Sequence, residues 1–123
     1  MLFRSDPFNA FMEPPCCSGS VWTIASLGSG TYAIYSQAFT DSGGHAMALQ
    51  SYADGSALQL GNVAGGTPSP AQTWTITALG GGYFRLTNAL LGPGRSAESD
   101  VSATDPKMGA TSTDASQYWQ ISP

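Results

Sequence analysis

Apolar and polar residues alternate with a period of two along several short stretches of the 123-residue chain. Trp22-Thr23-Ile24, Trp74-Thr75-Ile76-Thr77 and Tyr83-Phe84-Arg85-Leu86-Thr87 each put every second side chain on one face of an extended backbone. Glycine-rich segments punctuate these stretches. Gly28-Ser29-Gly30 and Gly80-Gly81-Gly82 read as hairpin turns between consecutive strands. Ser42-Gly43-Gly44, Asp54-Gly55, Gly65-Gly66-Thr67-Pro68 and Gly92-Pro93-Gly94 supply further reversals. Strand runs of about 4–6 residues, with turns every ~8–12, predict an all-β barrel or sandwich.

The chain also repeats itself. Residues 22–30 read WTIASLGSG and residues 74–82 read WTITALGGG, and the likeness continues from Tyr32 to Phe84 and from Ile34 to Leu86. A third copy opens at Trp119 as WQI. Gln72-Thr73-Trp74 and Gln117-Tyr118-Trp119 share a Gln-x-Trp motif, whereas the first copy has Ser20 in place of the glutamine. Upstream of each tryptophan lies an Asp-containing turn with a short apolar stretch, in residues 4–13, 51–61 and 99–109.

Gln-x-Trp recurring every 40–50 residues, with GYFRLTNALLGPGRS at 82–96, resembles the ricin B-type lectin family, in particular its fungal and bacterial forms. The resemblance implies a β-trefoil: three lobes of four strands, six strands forming a barrel and three hairpins capping it. On that plan lobe one occupies residues 1–29 and is incomplete, lobe two runs over 31–79 and lobe three over 83–123. The first strand of lobe one is expected to be missing, which leaves the strand at Trp119 with an open edge. Three readings of that edge stay open: a fragment, a shortened gene product, or a protomer that closes its barrel on a second copy.

Trp22, Trp74 and Trp119 are expected in the core, since an indole buries about 150–250 Å². Gln72 and Gln117 are expected to bond backbone groups at the turns, because a half-buried amide needs partners. The resemblance further implies one shallow sugar pocket per lobe. In it an Asp on the second strand takes two hydroxyls, and an amide and an aromatic ring on the third strand complete the contact. Here the Asp position falls on Gln50 in lobe two and Glu98 in lobe three. Gln59 and Lys107 stand at the amide position, Gly61 and Gly109 at the aromatic one, and Ala71 and Ser116 precede the Gln-x-Trp glutamines. Lobe one offers Asp6 and Phe11 but no clear pocket Asp. Tyr52 and Asp54, beside Gln50, complete a variant site in lobe two.

Composition narrows the remaining classes. Charged residues make up 10% of the chain and aromatics 11%, the reverse of a disordered tail. Eight acids against four bases give a net charge of −4, and no basic cluster is present to meet phosphate, so nucleic acid is excluded as a partner. No apolar run approaches the ~18 residues that cross a bilayer, and residues 1–11 lack the apolar core of a secretory signal. The expectation is a cytoplasmic or non-classically secreted chain, unless its natural start lies upstream.

Cys16 and Cys17 are adjacent, too close for an ordinary disulfide, and read as free small residues. His45 is the single histidine, too few nitrogen and sulfur ligands for zinc, and no cofactor is implied. His45 with Asp41 invites a triad, but no Gly-x-Ser-x-Gly elbow accompanies them and the turn residues around His45 place it in solvent. Glu98 and Asp100, two residues apart, read as a solvated cluster rather than a glycosidase pair. The expectation is therefore no enzyme. Two function classes remain: a non-enzymatic carbohydrate-binding module with weak sites for galactose- or N-acetylgalactosamine-type glycans, or a scaffold of the same fold that binds a protein, such as a hydrolase inhibitor or assembly subunit.

Overall fold

The two glycine-rich turns organise the chain as hairpins. β3 (Trp22–Gly28) pairs antiparallel with β4 (Thr31–Thr40), and β7 (Trp74–Gly80) with β8 (Tyr83–Asn88). Trp22 lies opposite Ser36 and Trp74 opposite Asn88, Ile24 opposite Ile34 and Ile76 opposite Leu86. Each hairpin carries a register shift at the same place, between Ser26 and Gly28 and between Ala78 and Gly80. Gly28 and Gly80 have φ of +88° and +90°, a backbone that a Cβ disfavours, so the sequence repeat is also a repeat of turn geometry.

The structure, a computed structural model, describes residues 2–5, 10–11, 22–54, 58–98 and 106–122. Besides the four strands above, these contain β1 (Leu2–Ser5), β2 (Ala10–Phe11), β5 (Ala46–Gln50), β6 (Gln59–Gly61), β9 (Arg95–Glu98), β10 (Lys107–Ala110) and β11 (Trp119–Ser122). Short 3-10 turns at Ala64–Gly66, Pro70–Gln72 and Ala115–Gln117 are the only helical segments among the described residues. The chain is all-β, as the alternation predicts. Six strands follow one another in antiparallel pairs, in the order β1, β11, β8, β7, β4, β3. The hairpins β5–β6 and β9–β10 stand beside them, one in lobe two and one in lobe three.

The final strand has a neighbour within the same chain. Leu2 lies opposite Ser122 and Ser5 opposite Trp119 in the β1–β11 pair. The expected loss of the first strand of lobe one, and of a partner for β11, is corrected here: Leu2–Ser5 occupies that place. Four residues containing an arginine show too little alternation to be recognised as a strand in the sequence. Cys16, Cys17, Ser20, Asp6 and Asp100 lie outside the described residues.

The core is built around the repeat. Trp22, Trp74 and Trp119 are each at most 1% exposed and share one cluster with Ile34, Leu49, Leu58, Leu86, Ala97 and Met108. At roughly 25 cal/mol per Å², burying one indole contributes at most about 4–6 kcal/mol. The indole N–H groups are satisfied in matching ways: Trp74 Nε1 donates to the Leu49 carbonyl at 3.0 Å and Trp119 Nε1 to the Ala97 carbonyl at 2.9 Å. Asn88 ties lobe two to lobe three. Its Nδ2 donates to Ser51 Oγ and to the Ala71 carbonyl, and its Oδ1 accepts the Leu91 N–H.

Candidate functional site

Each Gln-x-Trp glutamine is the hub of a small polar network. Gln72 Nε2 donates to the Asn62 carbonyl at 3.0 Å and to Gln50 Oε1 at 2.9 Å, and its Oε1 accepts the Ser69 N–H at 3.2 Å. Gln117 repeats this arrangement. Its Nε2 donates to the Ala110 carbonyl at 2.7 Å and to Glu98 Oε2 at 3.1 Å, and its Oε1 accepts the Ser112 N–H at 2.9 Å. Both amides are buried, so each of these bonds replaces one that water cannot supply.

Gln50 and Glu98 therefore spend one side-chain oxygen inward, on a buried amide. The third-strand glycines make room for this. A Cβ at Gly61 would overlap the Gln50 amide, and a Cβ at Gly109 would overlap the Glu98 carboxylate. The glycines at the expected aromatic positions thus occur together with the longer side chains at the expected Asp positions. Gln and Glu reach one methylene further than Asp and lie across the neighbouring strand, where any side chain would collide with them. The missing aromatic wall and the missing Asp are one structural feature, present in both lobes.

Around this hub the two lobes differ. In lobe two, Gln59 is the register partner of Gln50, and the Tyr52 hydroxyl donates to Gln59 Oε1 at 3.2 Å. The Tyr52 ring is exposed, as are Asp54 and Gln59. In lobe three, Lys107 is the register partner of Glu98, and its Nζ stands 3.9 Å from Glu98 Oε1. The structure thus joins Gln50, Tyr52 and Gln59 in one patch, while Glu98 belongs to a separate hub with Lys107.

The His45–Asp41 pair closes the β4–β5 turn. Asp41 Oδ1 accepts the Gly43 N–H at 2.8 Å and the His45 N–H at 3.0 Å, and His45 Nδ1 lies 3.3 Å from the same oxygen. The His45 N–H, with help from the Gly43 N–H and the imidazole and against partial desolvation, holds the Asp41 carboxyl below the usual 3.8. The His45 side chain is 79% exposed. This turn borders a cavity of about 740 Å³, whose walls include Tyr35, Asn62 and Val63. None of those three stands out in the sequence. The available signal is that lobe two is longer than lobe three at the segments that carry Asp41 and the Ala64–Gly66 turn.

No family model and no curated protein matches the chain. Solved structures do. A designed threefold-symmetric protein, ThreeFoil, superposes with a TM-score of 0.75 over 97% of this chain and 94% of its own, at 17% identity. The fold is a β-trefoil. A mosquitocidal holotoxin matches with a TM-score of 0.72 at 16% identity, and a GlcNAcα1-4Gal-releasing endo-β-galactosidase from Clostridium perfringens with 0.73 at 15%. Each of these two aligns over 97% of this trefoil, which spans 16% of the toxin chain and 31% of the galactosidase chain. At such identities the likeness is one of fold, and the three lobes of this trefoil keep their own chemistry.

Proposed function

We propose that this trefoil is a glycan-binding module without enzymatic activity, and that it receives sugar on the lobe-two patch of Gln50, Tyr52, Asp54 and Gln59, with Glu98 as a weaker contact in lobe three. The observation that carries the reading is the exposed Tyr52 ring, fixed at its hydroxyl by Gln59, which is the strand partner of Gln50. A ring face takes the apolar C–H face of a pyranose, and amides take its hydroxyls. The likeness in fold to parts of a mosquitocidal holotoxin and of a GlcNAcα1-4Gal-releasing endo-β-galactosidase supports the same reading.

A single shallow site of this kind has millimolar affinity, about −4 kcal/mol, and gains useful strength only through several sites acting together. A glycan array, followed by titration with galactose and N-acetylgalactosamine glycosides, tests it. Tyr52→Ala and Gln59→Ala are the appropriate variants, because Gln50 and Glu98 also hold buried glutamines and their removal would disturb the fold. Binding that both variants retain refutes this placement.

A second reading is a protein-binding scaffold. The inward-turned Gln50 and Glu98, with glycine in place of the stacking wall, favour it. A folded protein that binds no glycan on the array or in titration, and that captures a protein partner, would favour that reading.

A further inference from the structure

Lobe two contains a cavity that lobe three builds differently, and the difference comes from added residues. Trp22 pairs with Ser36 and Trp74 with Asn88, so Ser36 and Asn88 are equivalent, as are Tyr35 and Thr87. Ala48 pairs with Gly61 and Ser96 with Gly109, so these pairs are equivalent too. Twelve positions lead from Ser36 to Ala48 but eight from Asn88 to Ser96; thirteen lead from Gly61 to Trp74 but ten from Gly109 to Trp119. Lobe two is thus longer by four residues before β5 and by three after β6. The lengthened segments face each other across the cavity of about 740 Å³, one contributing Asp41 and His45, the other Asn62 and Val63.

The lining has changed along with the length. Where lobe two has Tyr35, His45 and Val63, the equivalent positions of lobe three are Thr87, Pro93 and Thr111, in a cavity of about 540 Å³. The imidazole is oriented. Its Nδ1 lies 3.3 Å from the Asp41 carboxylate, and the ring borders the cavity. The Asn62 side-chain amide bonds nothing among the described residues, while its carbonyl is held by Gln72. Tyr35, half-buried, offers a ring, and Ala46 and Val63 add apolar surface. A ring, an imidazole, one free amide and an apolar wall, in a cavity within the ~300–1,000 Å³ of small-molecule sites, match a neutral pyranose. The Asp41 carboxylate repels anionic sugars from the same place.

We infer that the cavity between the Asp41–His45 turn and the Asn62–Gly66 segment is a second saccharide site, specific to lobe two and separate from the Tyr52 patch. The inference rests on the glycan-binding reading and assigns a further site within it.

The test is a titration of the labelled full chain with methyl glycosides of galactose, N-acetylgalactosamine, glucose and N-acetylglucosamine, with a sialoside as the anionic comparison, followed by amide chemical shifts. Amides of 41–46 and 62–66 should move with one of the neutral glycosides, along a curve of their own, and not with the sialoside. His45→Ala and Asn62→Ala should each weaken that curve about tenfold, the loss of one ligand hydrogen bond. Asn62→Ala removes an exposed side chain, so its fold should be unaffected. Shifts confined to Tyr52, Asp54 and Gln59 would overturn the second site and leave the glycan-binding reading standing. No shift with any glycoside would overturn both.

Discussion

Replacing Gly109 by Ala tests whether the hub geometry is coupled as described. The new methyl group falls on the Glu98 carboxylate. That carboxylate ends a flexible side chain, so it swings away before the backbone of β9 or β10 moves. Gln117 then loses its bond to Glu98 Oε2, and an Nε2 hydrogen is stranded in a side chain with 0% exposure. An unsatisfied buried donor costs about 1–3 kcal/mol. Because the Glu98 side chain is 21% exposed and its charge partly screened, the lower part of that range, about 1–2 kcal/mol, is expected. Glu98→Ala should cost a similar amount by itself. In the Glu98→Ala background the donor is already stranded and the collision is gone, so Gly109→Ala should cost nothing, or stabilise by up to ~0.5–1 kcal/mol by restricting the unfolded chain. Urea unfolding followed by tryptophan fluorescence measures all four corners of the cycle, with three buried indoles as reporters. Equal costs of Gly109→Ala in both backgrounds, with coupling below about 0.5 kcal/mol, would refute the coupling.

Three other outcomes are expected. Trp74→Ala should cost ~3–5 kcal/mol in the same assay, since it opens a core cavity and removes the hydrogen bond to the Leu49 carbonyl. Ser29, with φ of +54°, sits in the turn position that Gly81 fills in the second hairpin; Ser29→Gly should stabilise by up to about 1 kcal/mol and Gly81→Ala should destabilise by a similar amount, both read from the urea midpoint. Asp41 binds its proton less readily folded than unfolded, so the stability it lends the β4–β5 turn is present above pH 3.8 and lost as pH falls through its lower folded value. The Gly43 and His45 amide shifts should report that transition, and Asp41→Asn should abolish it.

The fold was legible because it repeats. Two copies of a Trp-Thr-Ile strand with the same glycine turn, and a third tryptophan, mark positions whose burial and hairpin registers coincide in the structure. Leu2–Ser5 was not legible, since four residues carry no period and their status depends on β11, more than a hundred residues away. At the hubs, Gly61 and Gly109 read locally as lost aromatics. Their relation to Gln50 and Glu98 is a contact between strands, and it emerges only once Gln59 and Lys107 are placed opposite those residues. The lobe-two cavity was hidden for a different reason. Its walls are added residues, and an addition can be measured only after the equivalent positions on either side of it are known.

The β1–β11 pair has a consequence for how such a unit can be joined to other chains. With Leu2 opposite Ser122, the first and last strands of the trefoil bring residues 2 and 122 side by side. A domain whose ends coincide can be spliced into a loop of a host protein without prising that loop apart, and several can be strung in series with short spacers. For the same reason β1 and β11 can be joined by a short linker and new ends opened at Gly28–Gly30 or Gly80–Gly82, where each hairpin reverses on exposed residues. Such a circular permutant would keep every strand pair except the hairpin that was cut, and that hairpin's two strands would then have to find each other without a covalent tether.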